Sequence, residues 1–239
     1  MNRSFLSRPT QDDPLTYLPR KPLQEFGKGR VIYDHQQPNH FLYVVILGRV
    51  KVATLSDDGG QTVGRLVCSD GLFGESCLVS AESRSESAVA LDNATLMAWS
   101  RGDIEQQIER EPRLGLALSQ FLVRQCMELQ ERIESMAVYK TPVRMLLALV
   151  QLSEDLGTPM ADGSIRIASL THHTMSEYVG TSREIVTFQM NRLRRLGVLR
   201  YTRKYIDVSP QALQEVLRQE GIQRPYSPMA MRASDGYAV

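Results

Sequence analysis

The amino-acid sequence predicts an α+β chain: a small antiparallel β-barrel, then one long helix, then a compact helical unit closed by a β-hairpin. Three observations carry this. Short alternating apolar runs fill residues 29–100, the apolar spacing changes from two to three or four after Pro112, and the last third holds two helical stretches split by a glycine. At 239 residues with 42% hydrophobic content, the chain suits two modest cores better than one large one.

The alternating runs span 30–33, 41–46, 49–53, 63–67, 87–91 and 94–98, parted by turn signals such as Gln37-Pro38-Asn39, Leu47-Gly48, Asp57-Asp58-Gly59-Gly60 and Asp92-Asn93. Many short strands at this spacing form an antiparallel sandwich or barrel. Beyond Pro112, Leu114, Leu116, Leu118, Phe121, Leu122, Gln125, Leu129, Ile133 and Met136 recur mostly three or four apart, with no Gly or Pro between Gly115 and Pro142. That spacing predicts a helix of about 25 residues. It serves either as the seam of a parallel dimer or as a helix folded back on its own barrel. The polar Gln125 on the apolar stripe favours a seam.

A second apolar helix is expected over 143–152, a loop over 157–163, a strand over 165–168, and two helices over 171–179 and 182–196. A hairpin over 198–208 and a short helix over 211–219 follow. The domain boundaries read from this are 1–112 for the barrel, 113–140 for the long helix, 141–222 for the C-terminal unit, and 223–239 for a flexible tail containing Pro225, Pro228 and Gly236.

Charge is unevenly placed. Residues 140–224 hold 12 Lys+Arg against 8 Asp+Glu, a net of +4 that leaves −3 for the rest of a chain whose total is +1. A basic concentration at one end is the electrostatic footprint of a nucleic-acid binder. Cys68, Cys77 and Cys126 are odd in number and lack CxxC spacing, so neither a disulfide framework nor a metal site is expected, and the thiols read as packing groups. No apolar window is long enough to span a membrane, and residues 1–14 are polar where a signal peptide would be apolar, so a cytoplasmic protein without membrane contact is expected.

Residues 170–186 have the anatomy of a helix-turn-helix. Gly180 supplies the sharp turn, Ser182 can cap the second helix, and Arg183-Glu184 stand in its first turn. There an arginine can take guanine O6 and N7 together and a glutamate can accept from cytosine N4. From 183 to 204 there are seven basic residues and one acidic, and Asn191, Arg192, Arg194, Arg195, Arg200, Arg203 and Lys204 can meet phosphates. The DNA-contacting set is Thr171, His172, Thr181, Ser182, Arg183, Glu184, Thr187, Phe188, Arg192, Arg203 and Lys204, with the hairpin as a wing.

This order of elements resembles the cyclic-AMP receptor protein/FNR superfamily over about residues 26–217, and Val179-Gly180-Thr181-Ser182-Arg183-Glu184-Ile185-Val186 is similar to the family's VG-x-SRE-x-V stretch. The resemblance implies a cyclic-nucleotide-binding-type jelly roll, a dimerisation helix and a winged helix-turn-helix. It implies a bacterial, homodimeric transcription regulator whose partners are double-stranded DNA with an inverted-repeat operator and RNA polymerase. Members that read a TGTGA-type half-site carry a second base-reading arginine one turn later, where this chain has Phe188. That residue either meets a thymine methyl or packs.

Phe73-Gly74-Glu75-Ser76-Cys77-Leu78-Val79 with Arg84-Ser85 resembles the phosphate-binding cassette of cyclic-nucleotide-binding domains. Glu75 can accept from a ribose 2′-hydroxyl, Arg84 can pair with a cyclic phosphate, and Gly74, Ser76 and Ser85 let backbone N–H groups approach an anion. The resemblance places Leu129 and Gln130 where cAMP-responsive members hold a Thr-Ser pair against adenine. The effector set is therefore Gly74, Glu75, Ser76, Cys77, Arg84, Ser85, Leu129 and Gln130. The ligands weighed are cAMP, cGMP and cyclic di-GMP, beside activity with no effector. Glu82 and Glu86 flank Arg84-Ser85 and oppose an anion. No cysteine cluster precedes Cys68 for an iron–sulfur centre, and His35 and His40 offer no haem axial pair. A cyclic-nucleotide-binding protein acting through protein contacts is the competing class. An enzyme is not expected, since the chain shows no nucleophile–base pairing, Walker-type loop or HExxH.

Overall fold

A computed structural model describes residues 12–35, 37–38, 40–55, 60–79 and 85–222. The chain forms two units, Met1–Leu55 with Leu66–Ala137 and Ser56–Arg65 with Val138–Val239. The tail expected at 223–239 lies outside the described residues. Among the described residues no helix is long and apolar enough to cross a membrane.

Eight strands build the barrel: β1 (Gln24–Phe26), β2 (Val31–Tyr33), β3 (Phe41–Leu47), β4 (Val50–Leu55), β5 (Gln61–Val67), β6 (Leu72–Phe73), β7 (Glu86–Ala90) and β8 (Ala94–Ser100). They lie in two four-stranded sheets, ordered β1-β8-β3-β6 and β2-β7-β4-β5. Strands distant in sequence are neighbours in both, as in a jelly roll. The period of two explains β3. Tyr43 and Val45 enter a core with Tyr33, Val50, Val52, Phe73 and Leu96, while Leu42 and Val44 enter a second core with Trp99, Cys77, Ile104, Leu114 and Leu118. Residues 42–45 are buried on both faces, so this strand, expected from the sequence as an alternating run, is instead apolar without a break.

The second core needs two helices, α1 (Arg101–Arg110) and α2 (Arg113–Val138). Trp99, at its centre, donates its indole N–H to the Pro19 carbonyl at 2.8 Å. α1 has only Ile104 and Ile108 as large apolar residues, so its period is faint. It is started instead by a capping box in which Ser100 and Asp103 satisfy each other's backbone N–H. In α2 only Leu114, Ala117 and Leu118 are buried. Its first turns pack on the barrel, and Leu122, Leu129, Ile133 and Met136 are exposed in the single chain.

The second unit holds α3 (Thr141–Leu156), β9 (Thr158–Pro159), β10 (Ile165–Ala168), α4 (His172–Val179), α5 (Arg183–Arg195), β11 (Leu199–Tyr201), β12 (Tyr205–Val208) and α6 (Pro210–Gln219). Its sheet runs β11-β12-β10-β9. Met145, Leu146, Leu149 and Leu152 of α3, Val186, Met190 and Leu193 of α5, and Leu213 and Leu217 of α6 are buried. Arg166 and Asp207 face each other across β10 and β12 and join through two hydrogen bonds of 2.7 and 2.9 Å. The same guanidinium lies 3.8 Å from the Tyr205 ring centroid, so this arginine is committed to the fold.

Candidate DNA-reading face and effector cradle

Each helix of the α4–α5 pair is started by a hydroxyl. Thr171 accepts from the Thr174 N–H at 3.0 Å, and Ser182 accepts from the Ile185 N–H at 3.3 Å. Between them Gly180 sits at φ 71°, ψ 53°, a left-handed cap whose N–H donates to the Ser176 carbonyl at 2.9 Å. A Cβ would strain that conformation. Arg144 of α3 donates to the Gly180 carbonyl at 3.0 Å and so holds the turn against the unit's core.

α5 buries Val186, Gln189, Met190 and Leu193 and turns Glu184, Phe188 and Arg195 away from them. Arg183 and Glu184 are exposed in its first turn. Hydrogen bonds from its own backbone N–H and from the Ser182 hydroxyl hold the Glu184 carboxyl below its ordinary range, so it is ionised and purely an acceptor. Thr187 donates to the Arg183 carbonyl at 2.9 Å, and its oxygen lies 2.8 Å from His172 Nδ1. With the Thr187 proton on the Arg183 carbonyl, the Nδ1–H tautomer of His172 is the one that fits this contact. Burial, and then the Arg183 charge, push the imidazole pKa down, which leaves a neutral ring with Nε2 as an acceptor.

The basic residues divide into two sets. Arg192 pairs with Glu220 at 3.3 Å, Arg200 with Asp162 at 2.8 Å, and Arg194 stands 5.5 Å over the Tyr201 ring. Asn191 donates to the Thr187 carbonyl at 3.0 Å and accepts from the Tyr201 hydroxyl at 3.2 Å, so its amide is used inside the protein. Arg183, Arg195, Arg203 and Lys204 make no ion pair among the described residues. A cavity of about 420 Å³ between α4 and the wing is lined by Thr171, His172, Tyr201 and Arg203, among others. Thr181 is partly buried, and its N–H donates to the Ser176 carbonyl at 3.0 Å.

In the first unit Gly74, at φ 82°, opens a single 3-10 turn, Glu75–Leu78. Ser76 Oγ is buried with no hydrogen-bond partner among the described residues, and Glu75 is partly exposed. Cys77 is fully buried in the core around Trp99, where it packs as an apolar group. Ser85 is exposed, and Arg84 and Glu82 lie outside the described residues. Glu86 accepts from the Tyr33 hydroxyl at 2.7 Å, and Tyr33 stacks with Tyr43 and Phe73 at 5.7 and 6.0 Å. Leu129 and Gln130 are exposed on α2.

Residues 23–111 match the cyclic nucleotide-binding domain family and residues 143–216 the Crp-like helix-turn-helix domain family. The transcriptional regulator SdrP of Thermus thermophilus is 31% identical over 166 residues, 68% of this chain and 76% of that protein. The chain belongs to the cyclic-AMP receptor protein/FNR (CRP/FNR) superfamily of transcription regulators. The global nitrogen regulator of Synechocystis is 29% identical over 218 residues, 86% of this chain and 96% of that protein. The crystal structure of a CRP/FNR-family transcriptional regulator from Thermus thermophilus superposes with a TM-score of 0.66 at 28% identity, covering 82% of this chain and 98% of that one.

Against the CRP/FNR reading of the sequence, the structure adds residues that the motif alone does not mark. Tyr201 ties the wing to α5 through Asn191 and Arg194, and its ring meets His172 edge-on at 6.2 Å. In sequence it is one strand aromatic among several. Arg144 lies 36 residues before the glycine it supports, a separation no local pattern reports.

Proposed function

We propose that this CRP/FNR regulator works as a homodimer paired along α2 and reads an inverted-repeat operator with Arg183 and Glu184, under control of a cyclic nucleotide bound in its first unit. The observation that carries the reading is the first turn of α5. An exposed Arg183 with no ion pair among the described residues stands beside an exposed, ionised Glu184. A guanidinium suits guanine and a carboxylate suits cytosine. Arg203 and Lys204 on the wing supply phosphate contacts, and His172 with Thr171 opens the cavity beside them. Two such units on a two-fold place their helices about 34 Å apart, hence an inverted repeat.

Pairing is supported by the apolar residues that α2 leaves exposed. For the effector, the match to the cyclic nucleotide-binding domain family and the buried Ser76 hydroxyl, without a partner among the described residues, support an anionic ligand, since that hydroxyl can donate to a phosphate oxygen. The Gly74 turn gives the backbone room to approach it. A ligand of this kind acts by its differential affinity for two states of the protein. The reading makes the chain a cytoplasmic regulator with RNA polymerase as a further partner and no catalytic role. cAMP, cGMP and cyclic di-GMP are the ligands to test.

The experiment is selection of binding sites from random duplexes by the purified protein, alone and with each nucleotide. An inverted repeat is expected, sharpened by one nucleotide. Arg183→Ala should cost about 1 to 3 kcal/mol and relax one base pair per half-site, whereas Arg203→Ala weakens all sequences alike. Equal loss on operator and random DNA for both variants refutes the base-reading assignment.

A further inference from the structure

We propose that Phe188 is a specificity-determining residue that reads a thymine methyl group in the inner part of each half-site. The inference rests on the DNA-reading proposal and extends it from Arg183 and Glu184 to a third residue of the same helix. Phe188 is 60% exposed, the most exposed aromatic residue among those described, so the phenyl ring does not serve the fold. It stands on the outward line of α5, four residues after Glu184, while the core side of the helix is taken by Val186, Gln189, Met190 and Leu193. Four residues of helix advance about 6 Å, close to two base-pair steps of about 3.4 Å, so a helix laid along the groove with Glu184 on one base brings Phe188 within reach of a base pair further in.

The polar groups around it are occupied. Asn191 uses its amide on Thr187 and Tyr201, and Arg192 pairs with Glu220. What the helix offers at that step is apolar, with Ile185 exposed one turn back beside it. In the major groove the apolar group among the four bases is the thymine C5 methyl, and burying it against a phenyl ring removes both from water.

The test uses the full chain and its selected operator, with each thymine replaced in turn by deoxyuridine, which lacks only the methyl. At one inner position deoxyuridine is expected to weaken wild-type binding about fourfold per half-site, the equivalent of one buried methyl group. Phe188→Ala should bind both duplexes alike, and Phe188→Leu should keep the preference. If no thymine is sensitive, or if Phe188→Ala stays equally sensitive, the inference is overturned. Failure of the wild type to select any operator overturns both proposals together, whereas a selected operator indifferent to every methyl overturns only this one.

Discussion

Placing a glutamate at Ile133 tests the pairing of α2. Ser119, Leu122, Cys126, Leu129, Ile133 and Met136 follow one another at spacings of three and four, the a and d positions of a heptad. Most of them lie beyond the first turns of α2, where Leu114, Ala117 and Leu118 are buried. Ile133 is 68% exposed in the single chain. Burying an isoleucine side chain fully is worth about 1.5–3 kcal/mol, so covering this one contributes about 1–2 kcal/mol per copy and about 2–4 kcal/mol per dimer. Ile133→Glu loses that contribution and sets two like charges across the two-fold, so the dimer Kd should rise about 30- to 1000-fold. Glutamate keeps helix propensity, so the helix itself survives. Sedimentation equilibrium measures the constant, with Met127→Glu as control. Met127 is 58% exposed on the same helix but lies outside the heptad seam. An unchanged Kd for Ile133→Glu, or equal damage from Met127→Glu, would refute the assignment of the seam.

Two further outcomes follow from the second unit. Tyr201→Phe removes the donor to Asn191 and should cost about 0.5–1.5 kcal/mol in chemical denaturation, while lowering affinity for operator and random DNA by similar factors because the wing is less well held. Unequal losses on the two DNAs would argue for a base contact instead. Hydrogen bonds from the Ser164 hydroxyl and N–H, with Arg200 adding to them, hold the Asp162 carboxyl at about 2. Because this pKa is below its unfolded value, the stabilisation is full above the unfolded value and is lost as pH falls through about 2. Asp162→Asn should therefore lower Tm at neutral pH and converge on the wild type as the pH approaches 2. A gap that persists in acid would show that charge is not its source.

The strands that alternate, the long helix after Pro112 and the two helices around Gly180 can all be read from the sequence, because each rests on a local period or a cap a few residues long. The same holds for Arg183 and Glu184, which are placed by their distance from the Ser182 cap. Elements with weak local signals escape such a reading. α1 depends on one capping box and two isoleucines, β6 has two residues, and β1 exists through pairing with β8, whose partner residues lie about seventy positions away.

The site divides in the same way. Residue type and order determine by themselves that a basic, glycine-turned helix pair lies in the last third of the sequence and that a Gly-Glu-Ser turn sits in the barrel. Only the tertiary structure decides which charges remain available to a ligand, because Glu220, Asp162 and Tyr201 reach Arg192, Arg200 and Arg194 from other elements. It also decides that Cys77 is spent in the core, that the Ser76 hydroxyl is buried without a partner among the described residues, and that α2 has buried residues only in its first turns. The physical reason is range: periods and caps act within a turn or two of the chain, whereas neutralisation, burial and exposure are set by neighbours that folding brings from tens of residues away.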